Sequence, residues 1–113
     1  MSFSKFTAIS ALLLMTQSGF AATVSKTEIT VIMMDRSKSE KVYIKTSVAR
    51  PSGSPTCHTN SWTFVLPLVT EAEKAIYAAL LSAKSAGKKV NLVGTGECGT
   101  YATIETLNRI EVL

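Results

Sequence analysis

Few side chains in this 113-residue chain are of the types that perform catalysis. His58 is the single histidine; it stands beside Cys57, and it could polarise a thiolate only if that cysteine were free. Glu71 and Glu73 lie two residues apart on a predicted helix, where they do not face each other and instead suit the helix start. The glycine-rich stretch 94–99 lacks the lysine of a phosphate-binding loop. The sequence therefore predicts a non-enzyme without catalytic residues or a cofactor.

The beginning of the chain has the pattern of an export signal. Lys5 precedes a short apolar run, and Gly19 and Ala21 occupy the −3 and −1 positions of a small-x-small cleavage site. The run is shorter than the roughly 20 residues that a membrane-spanning helix needs. We therefore expect residues 1–21 to be a signal peptide. Residues 22–113 would form one domain of a secreted or periplasmic protein without a transmembrane segment.

Export also bears on the two cysteines. In an oxidising compartment an even number of cysteines is most simply explained by a disulfide, here between Cys57 and Cys98. Two free thiols or a metal site are the alternatives. A metal site is disfavoured because a lone histidine next to one cysteine supplies too few ligands.

The charge of the mature chain is mild. Of the 12 basic residues Lys5 belongs to the signal peptide, so 11 remain against 8 acidic residues and the net charge is +3. These basic residues are scattered along the chain and form no stripe that could follow a phosphate backbone. Nucleic acid is therefore not expected as a partner.

Alternating apolar and polar residues predict five strands and one helix, in the order β-β-β-α-β-β. The first strand is apolar on both sides, which predicts a central position in a sheet. In the third strand Trp62, Phe64 and Leu66 alternate with polar or smaller residues and are predicted to face the core. The five predicted strands span residues 28–34, 41–48, 60–66, 88–94 and 109–113.

The helix between the third and fourth strands is marked at both ends. Thr70 and Glu73 form a capping box at its start, and Gly87 is a C′ glycine at its end. Tyr77 and Leu81 are predicted to lie opposite the stripe that faces the sheet. This second apolar patch suggests an interface with another subunit, although a neighbouring loop could cover it, or the two side chains could simply be exposed.

Aromatic and hydroxyl side chains are the candidates for ligand binding. Tyr43 is predicted on the outer face of the second strand and Tyr101 in the loop after Cys98, while Ser47 supplies a hydroxyl near the end of the second strand. An aromatic ring offers a sugar a flat apolar surface, and hydroxyl groups supply hydrogen bonds. Both tyrosines are equally compatible with half-buried packing roles.

Several segments resemble the B subunits of AB5 bacterial toxins, in particular the subtilase-cytotoxin and pertussis-like binding subunits. They are K-V-Y-I-K-T-S (41–47), S-G-S-P-T-C (52–57), S-W-T-F (61–64) and the helix with its following residues (71–90). The resemblance implies a secreted OB-fold domain that forms a pentameric ring, packs its helices around a central pore, accompanies a toxin A subunit and binds cell-surface glycans. Segments 35–40 and 99–107 match no sugar-binding motif of that family, so no family glycan residue is carried over.

The fold expected from these arguments is mainly β (α+β): a five-stranded Greek-key barrel of the OB type with one helix and one disulfide. The expected function is glycan binding by a ring-forming subunit. The alternative is a monomeric periplasmic module of the same fold that binds a ligand or acts as an inhibitor.

Overall fold

The computed structural model describes residues 20–38 and 40–113; all but the last two residues of the predicted signal peptide lie outside the described residues. Within this part of the chain there are six strands, one α-helix and one turn of 3-10 helix at Arg36–Lys38. The strands are β1 (Thr23–Thr27), β2 (Ile29–Met33), β3 (Lys41–Thr46), β4 (Phe64–Pro67), β5 (Val90–Gly94) and β6 (Leu107–Val112), and the helix is α1 (Glu71–Ala86).

The strands form two three-stranded antiparallel sheets, with the orders β1-β5-β6 and β2-β3-β4. Only Glu28 separates β1 from β2, so the chain passes directly from one sheet into the other. A second connection is a parallel bridge between Val65 and Thr106, where the Val65 N–H donates to the Glu105 carbonyl at 3.1 Å. Neither sheet closes on itself. The mainly β class, the single α-helix and the disulfide are confirmed.

The predicted number of strands is wrong, because the structure contains an additional strand, β1, before the first predicted one. Its burial does not alternate: Val24 and Thr27 are buried, while Lys26 has a positive φ of 50° and the register with β5 shifts between Val24 and Thr27. Such a bulge adds a residue to the strand and breaks the period of two. Sequence periodicity alone therefore could not detect this strand.

The strand β2 lies at an edge of its sheet, so its predicted central position is also wrong. The centre belongs to β3, which pairs with β2 on one side and with β4 on the other. Beyond β2 no further strand pairs within the described residues. The apolar side chains of Val31 on β2 and Met34 just after it are exposed.

The main core lies between the two sheets and α1. Phe64, Leu66, Leu80 and Leu92 are among its fully buried residues. The predicted caps of α1 are confirmed: the Thr70 hydroxyl accepts from the Glu73 N–H, the Glu73 carboxylate accepts from the Thr70 N–H, and Gly87 is left-handed. The start, end and orientation of this helix are thus determined by local chemistry together with the burial of its Leu80 face.

Candidate binding site

An open depression of about 520 Å³ lies beside the end of β3 and the long loop that connects β3 to β4. Hydroxyl and amide side chains dominate its lining, and two cationic side chains, Lys45 and Arg50, are also present. No carboxylate belongs to its lining as far as the described residues show. The full lining consists of residues 45–54 together with His58, Asn60, Ser61 and Thr63.

A buried ion pair supports the loop that forms this depression. The Arg50 Nη2 atom lies 2.9 Å from Glu105 Oε1, and the two side chains are only 10% and 0% exposed. The same guanidinium donates to the carbonyls of Thr63 at 2.9 Å and Ser54 at 3.1 Å. It also lies over the Phe64 ring, 5.0 Å from the ring centroid. Because all of these contacts converge on one planar group, Arg50 joins the loop to the core.

The Glu105 carboxylate has further partners besides Arg50. It accepts from the Gly96 N–H at 2.7 Å and from the Ala22 N–H at 3.3 and 3.4 Å. A β-carbon at Gly94 would overlap this carboxylate, so any other residue at this position would have to displace it. The group that comes closest to this glycine is therefore the side chain of Glu105.

His58 connects the depression to the backbone of Glu105. Its Nδ1 accepts from the Glu105 N–H at 2.9 Å, and its Nε2 lies 3.0 Å from the carbonyl of Asn60, to which it must donate. These two bonds define the neutral Nε2–H tautomer. Burial, followed by the positive charge of Arg50, lowers the pKa of His58. Both ring nitrogens are therefore engaged in holding the loop in place.

An aromatic cluster adjoins the depression, on the face of the β2-β3-β4 sheet that is opposite the main core. Tyr43 is only 3% exposed and packs against Trp62 and Tyr101, each with a centroid separation of 5.7 Å. The Lys45 Nζ atom lies 4.8 Å from the centroid of the Trp62 ring and links this cluster to the depression. Burial, then the neighbouring Tyr101, raises the pKa of Tyr43. Its hydroxyl has no hydrogen-bond partner among the described residues.

The three predicted ligand-binding residues do not form one site. Tyr43 and Tyr101 come together in the aromatic cluster, but the expected exposure of Tyr43 is wrong because Trp62 and Tyr101 cover its ring. Ser47 lines the depression instead, and its hydroxyl accepts from the Glu28 N–H at 3.1 Å. Tyr101 is half-buried.

Trp62 is not part of the main core, contrary to prediction. The strand β4 begins at Phe64, so the alternation that places Phe64 and Leu66 in the core does not extend back to Trp62. The half-buried ring packs on Tyr43, on the face of the β2-β3-β4 sheet opposite the main core.

Arg50, Glu105 and Lys45 were not predicted as site residues. An isolated arginine before Pro51 and an isolated acid between Ile104 and Thr106 were the only sequence signals for the ion pair.

The predicted interface residues lie on the outer part of α1. Leu81 is exposed, whereas Tyr77 is half-buried against the edge of the main core. The Tyr77 hydroxyl lies 3.1 Å from the Met34 sulfur just after β2. Tyr77 is therefore not opposite the buried face as predicted, because the buried stripe is centred on Leu80, only three residues away. Leu81, Tyr77 and Met34 form what we term the helix-edge patch.

The predicted disulfide between Cys57 and Cys98 is confirmed, and it joins the loop before β4 to the loop after β5. Across residues 20–38 and 40–113, no three His, Cys, Asp or Glu side chains group closely enough to hold a metal ion. No helix in this part of the chain is both long and apolar enough to cross a membrane.

Comparison with protein-family models, with curated proteins and with solved structures gives no match to this chain. The chemistry of the depression and of the surrounding surface is therefore the basis for assigning a function.

Proposed function

We propose that this chain is an exported, non-catalytic binding subunit that holds a glycan in the depression beside β3 and assembles into a ring, as B subunits of AB5 toxins do. The observation that carries the proposal is the depression itself. It is open, rich in hydroxyl and amide groups, and built on a loop that the buried Arg50–Glu105 pair and the Cys57–Cys98 disulfide hold in place. A site on a rigid frame loses little conformational entropy when a ligand binds.

The chemistry of the lining suits a carbohydrate. Ser52, Asn60 and Ser61 are among the side chains that offer hydrogen-bond donors and acceptors to sugar hydroxyls. Lys45, which lines the depression, lies over the ring of the adjacent Trp62, and this contact holds its ammonium group at the edge of the site. Because the described lining contains Lys45 and no carboxylate, sugars that carry an acidic group should bind more tightly than neutral ones.

The unpaired edges of β2 and β6, two of the four edge strands in the described sheets, support assembly into a ring. In the described part of the chain β2 and β6 each lack a partner strand on one side. Exposed apolar side chains lie at both edges, Val31 on β2 and Val112 on β6. An exposed strand edge readily pairs with another chain. If the edge of β2 in one copy pairs with the edge of β6 in the next, the contact is head-to-tail, and it gives a closed ring when the rotations between successive copies add up to a full turn. The helix-edge patch would be covered by the same contacts.

The connectivity also supports an OB-type Greek-key barrel. If β1 and β2 are counted as one long strand bent at Glu28, the chain has the five strands that such a barrel requires. The bridge at Val65 and Thr106 brings the two sheets together on the other side. We take the barrel as the architecture on which the proposed depression and ring interface are built.

A glycan array screened with the exported protein tests the binding proposal. We expect at least one acidic glycan to bind, and the variant Ser52→Trp to weaken that binding by about tenfold or more because the indole would fill the depression. Ser82→Trp, which adds the same side chain at an exposed position of α1 away from the helix-edge patch, is the matched control and should bind as wild type does. An intact assembly that binds no glycan would contradict the proposal, as would equal binding by the two variants.

The mass of the protein in solution tests the ring. We expect a discrete oligomer at micromolar concentration, and we expect Leu81→Lys to release folded monomer because a charge would enter the helix-edge patch. Ser82→Lys places the same charge on the neighbouring exposed residue of α1 and should affect assembly less. A strictly monomeric wild-type protein would favour the alternative, a monomeric binding or inhibitor module.

A further inference from the structure

The backbone nitrogen of Ala22 lies against the most deeply buried carboxylate described in this structure. It is 3.4 Å from Glu105 Oε1 and 3.3 Å from Glu105 Oε2. Ala22 is 3% exposed, Glu105 is 0% exposed, and the Gly94 N–H holds the Ala22 carbonyl at 2.9 Å. A nitrogen equidistant from both oxygens shares one amide hydrogen between two acceptors and satisfies neither fully. The site is thus better matched to a nitrogen with more hydrogens.

We propose that Glu105 is the binding site for the N-terminal ammonium group that signal-peptide cleavage creates on Ala22. In this reaction a leader peptidase hydrolyses the Ala21–Ala22 bond with one water molecule. The carboxylate remains on Ala21, and the amine on Ala22 takes up a proton. The mature amino terminus then completes a buried charge cluster with Glu105 and Arg50. The inference rests on the predicted cleavage and is independent of the glycan and ring proposals.

The geometry of the carboxylate has room for this second cation. An ionised carboxylate accepts about four hydrogen bonds, two on each oxygen. Arg50 occupies one position on Oε1 and the Gly96 N–H one on Oε2, which leaves one on each oxygen facing Ala22. An ammonium offers three hydrogens and a positive charge where the amide offers one hydrogen, and charge-assisted bonds are shorter and stronger. Before cleavage Arg50 already neutralises Glu105, so the uncleaved chain is not left with an unpaired charge.

The position of the cleaved bond is decisive for this site. Cleavage one residue later would remove the nitrogen that faces Glu105, and cleavage earlier would leave an amide there and place the ammonium outside. Ala21 is exposed and Ala22 is buried. A peptidase could therefore reach the bond only before this edge of the domain has packed, so we expect cleavage to precede folding. In the described part of the segment that cleavage would release, the Phe20 carbonyl accepts a hydrogen bond from the Ser54 hydroxyl at 2.8 Å.

The reactivity of the amino terminus tests the proposal. The full chain is expressed with its own leader in a bacterial host, and the exported protein is weighed and treated with cyanate at neutral pH. We expect the chain to begin at Ala22 and its α-amine to react about tenfold more slowly than that of a synthetic peptide of residues 22–26, because a bound carboxylate favours the unreactive ammonium form. In urea the two rates should become equal. A different first residue, or a folded protein that reacts at the peptide rate, would overturn the proposal.

A pair of variants separates the carboxylate from simple burial. Glu105→Gln should raise the reactivity of the α-amine several-fold, whereas Glu97→Gln, a nearby exposed acid, should leave it unchanged. If Glu105→Gln does not fold, the pH dependence of the wild-type reaction distinguishes an ammonium paired with Glu105 from an amine that is merely buried. An ammonium paired with a carboxylate becomes reactive at a higher pH in the folded than in the unfolded chain, and an amine that is merely buried becomes reactive at a lower pH. The second result would reject the pairing.

Discussion

Removal of the Arg50 side chain should be among the most damaging single changes to this domain. In Arg50→Ala the buried Glu105 loses the ion pair at 2.9 Å, and the carbonyls of Thr63 and Ser54 lose their donors. The contact of the guanidinium with the Phe64 ring is lost as well. Breaking a buried pair from one side costs about 3–5 kcal/mol, because the remaining charge stays in a medium of low polarity.

This cost is large relative to the total free energy of unfolding of a domain of this size. Small domains have unfolding free energies on the order of 5–15 kcal/mol, so Arg50→Ala would remove about a fifth of the stability or more. If the Ala22 ammonium also pairs with Glu105, it would compensate in part, and the lower end of the range applies. For a small domain the slope in urea is about 1 kcal/mol per M, so the midpoint should fall by about 3 M.

The assay is urea unfolding of the purified protein at one fixed concentration, followed by the fluorescence of Trp62, the only tryptophan in the sequence. Arg109→Ala is the matched control. Arg109 pairs with Glu111 at 2.7 Å, slightly closer than Arg50 with Glu105, but these side chains are 59% and 44% exposed. Solvent screens such a pair, so this variant should shift the midpoint little.

The comparison of the two arginines decides whether burial or distance governs the stability. Equal midpoint shifts for Arg50→Ala and Arg109→Ala would refute the reasoning, because the ion-pair distances are nearly the same. The double variant Arg50→Met with Glu105→Gln should recover part of the loss, since it leaves no unpaired charge in the core. A double variant as unstable as Arg50→Ala would show that the shape of the guanidinium matters more than its charge.

Three further predictions concern pH, packing and the disulfide. The pKa of His58 is lower in the folded than in the unfolded chain, so as the pH falls the unfolded chain binds a proton at a higher pH than the folded chain does. The contribution of neutral His58 to the free energy of unfolding is therefore complete above the ordinary histidine pKa of about 6.5 and is lost as the pH falls below it. Melting temperatures from about pH 7 to about pH 5, above the range where carboxyl groups titrate, should show this loss, and His58→Asn should flatten it. Gly94→Ala should cost about 1–3 kcal/mol in urea unfolding because its β-carbon meets Glu105, whereas Gly99→Ala, where the space is open, should change little. Reduction of the disulfide, which closes a loop of 41 residues, should destabilise the domain by about 3–4 kcal/mol; an unchanged melting temperature after reduction would contradict its role.

Predictions from short segments agree best with the structure. The capping box at Thr70 and the C′ Gly87 depend on residues within four positions of each other, and both are present. The strands around Val42 and Leu66 follow from alternation over a few residues. Where a bulge interrupts the alternation, as in β1, the same reasoning fails. Local patterns thus predict an element only while its geometry remains regular.

The candidate site was much less predictable. Arg50 and Glu105 are 55 positions apart, and each is an ordinary isolated charge in its own segment. Only the passage of the chain through two sheets brings them together beneath the depression. The burial of Tyr43 likewise depends on Tyr101 and Trp62, which reach it from loops on other segments. The alternation of apolar and polar residues within β3 is the same whether its outer face is exposed or is covered by a distant loop, so the sequence of β3 does not distinguish the two cases.

The sequence by itself determined the mainly β class and the limits of the helix, and it predicted the pairing of Cys57 with Cys98 as the simplest explanation for two cysteines in a chain with an export pattern. These features follow from backbone geometry and redox chemistry, which act over short stretches or depend on composition. Tertiary structure alone decided that β2 is an edge strand, that Glu105 is buried, and that Ala22 and Arg50 share its carboxylate. The physical reason is that the free energy of a charge depends on the groups that surround it in space, and those groups come from remote parts of the chain.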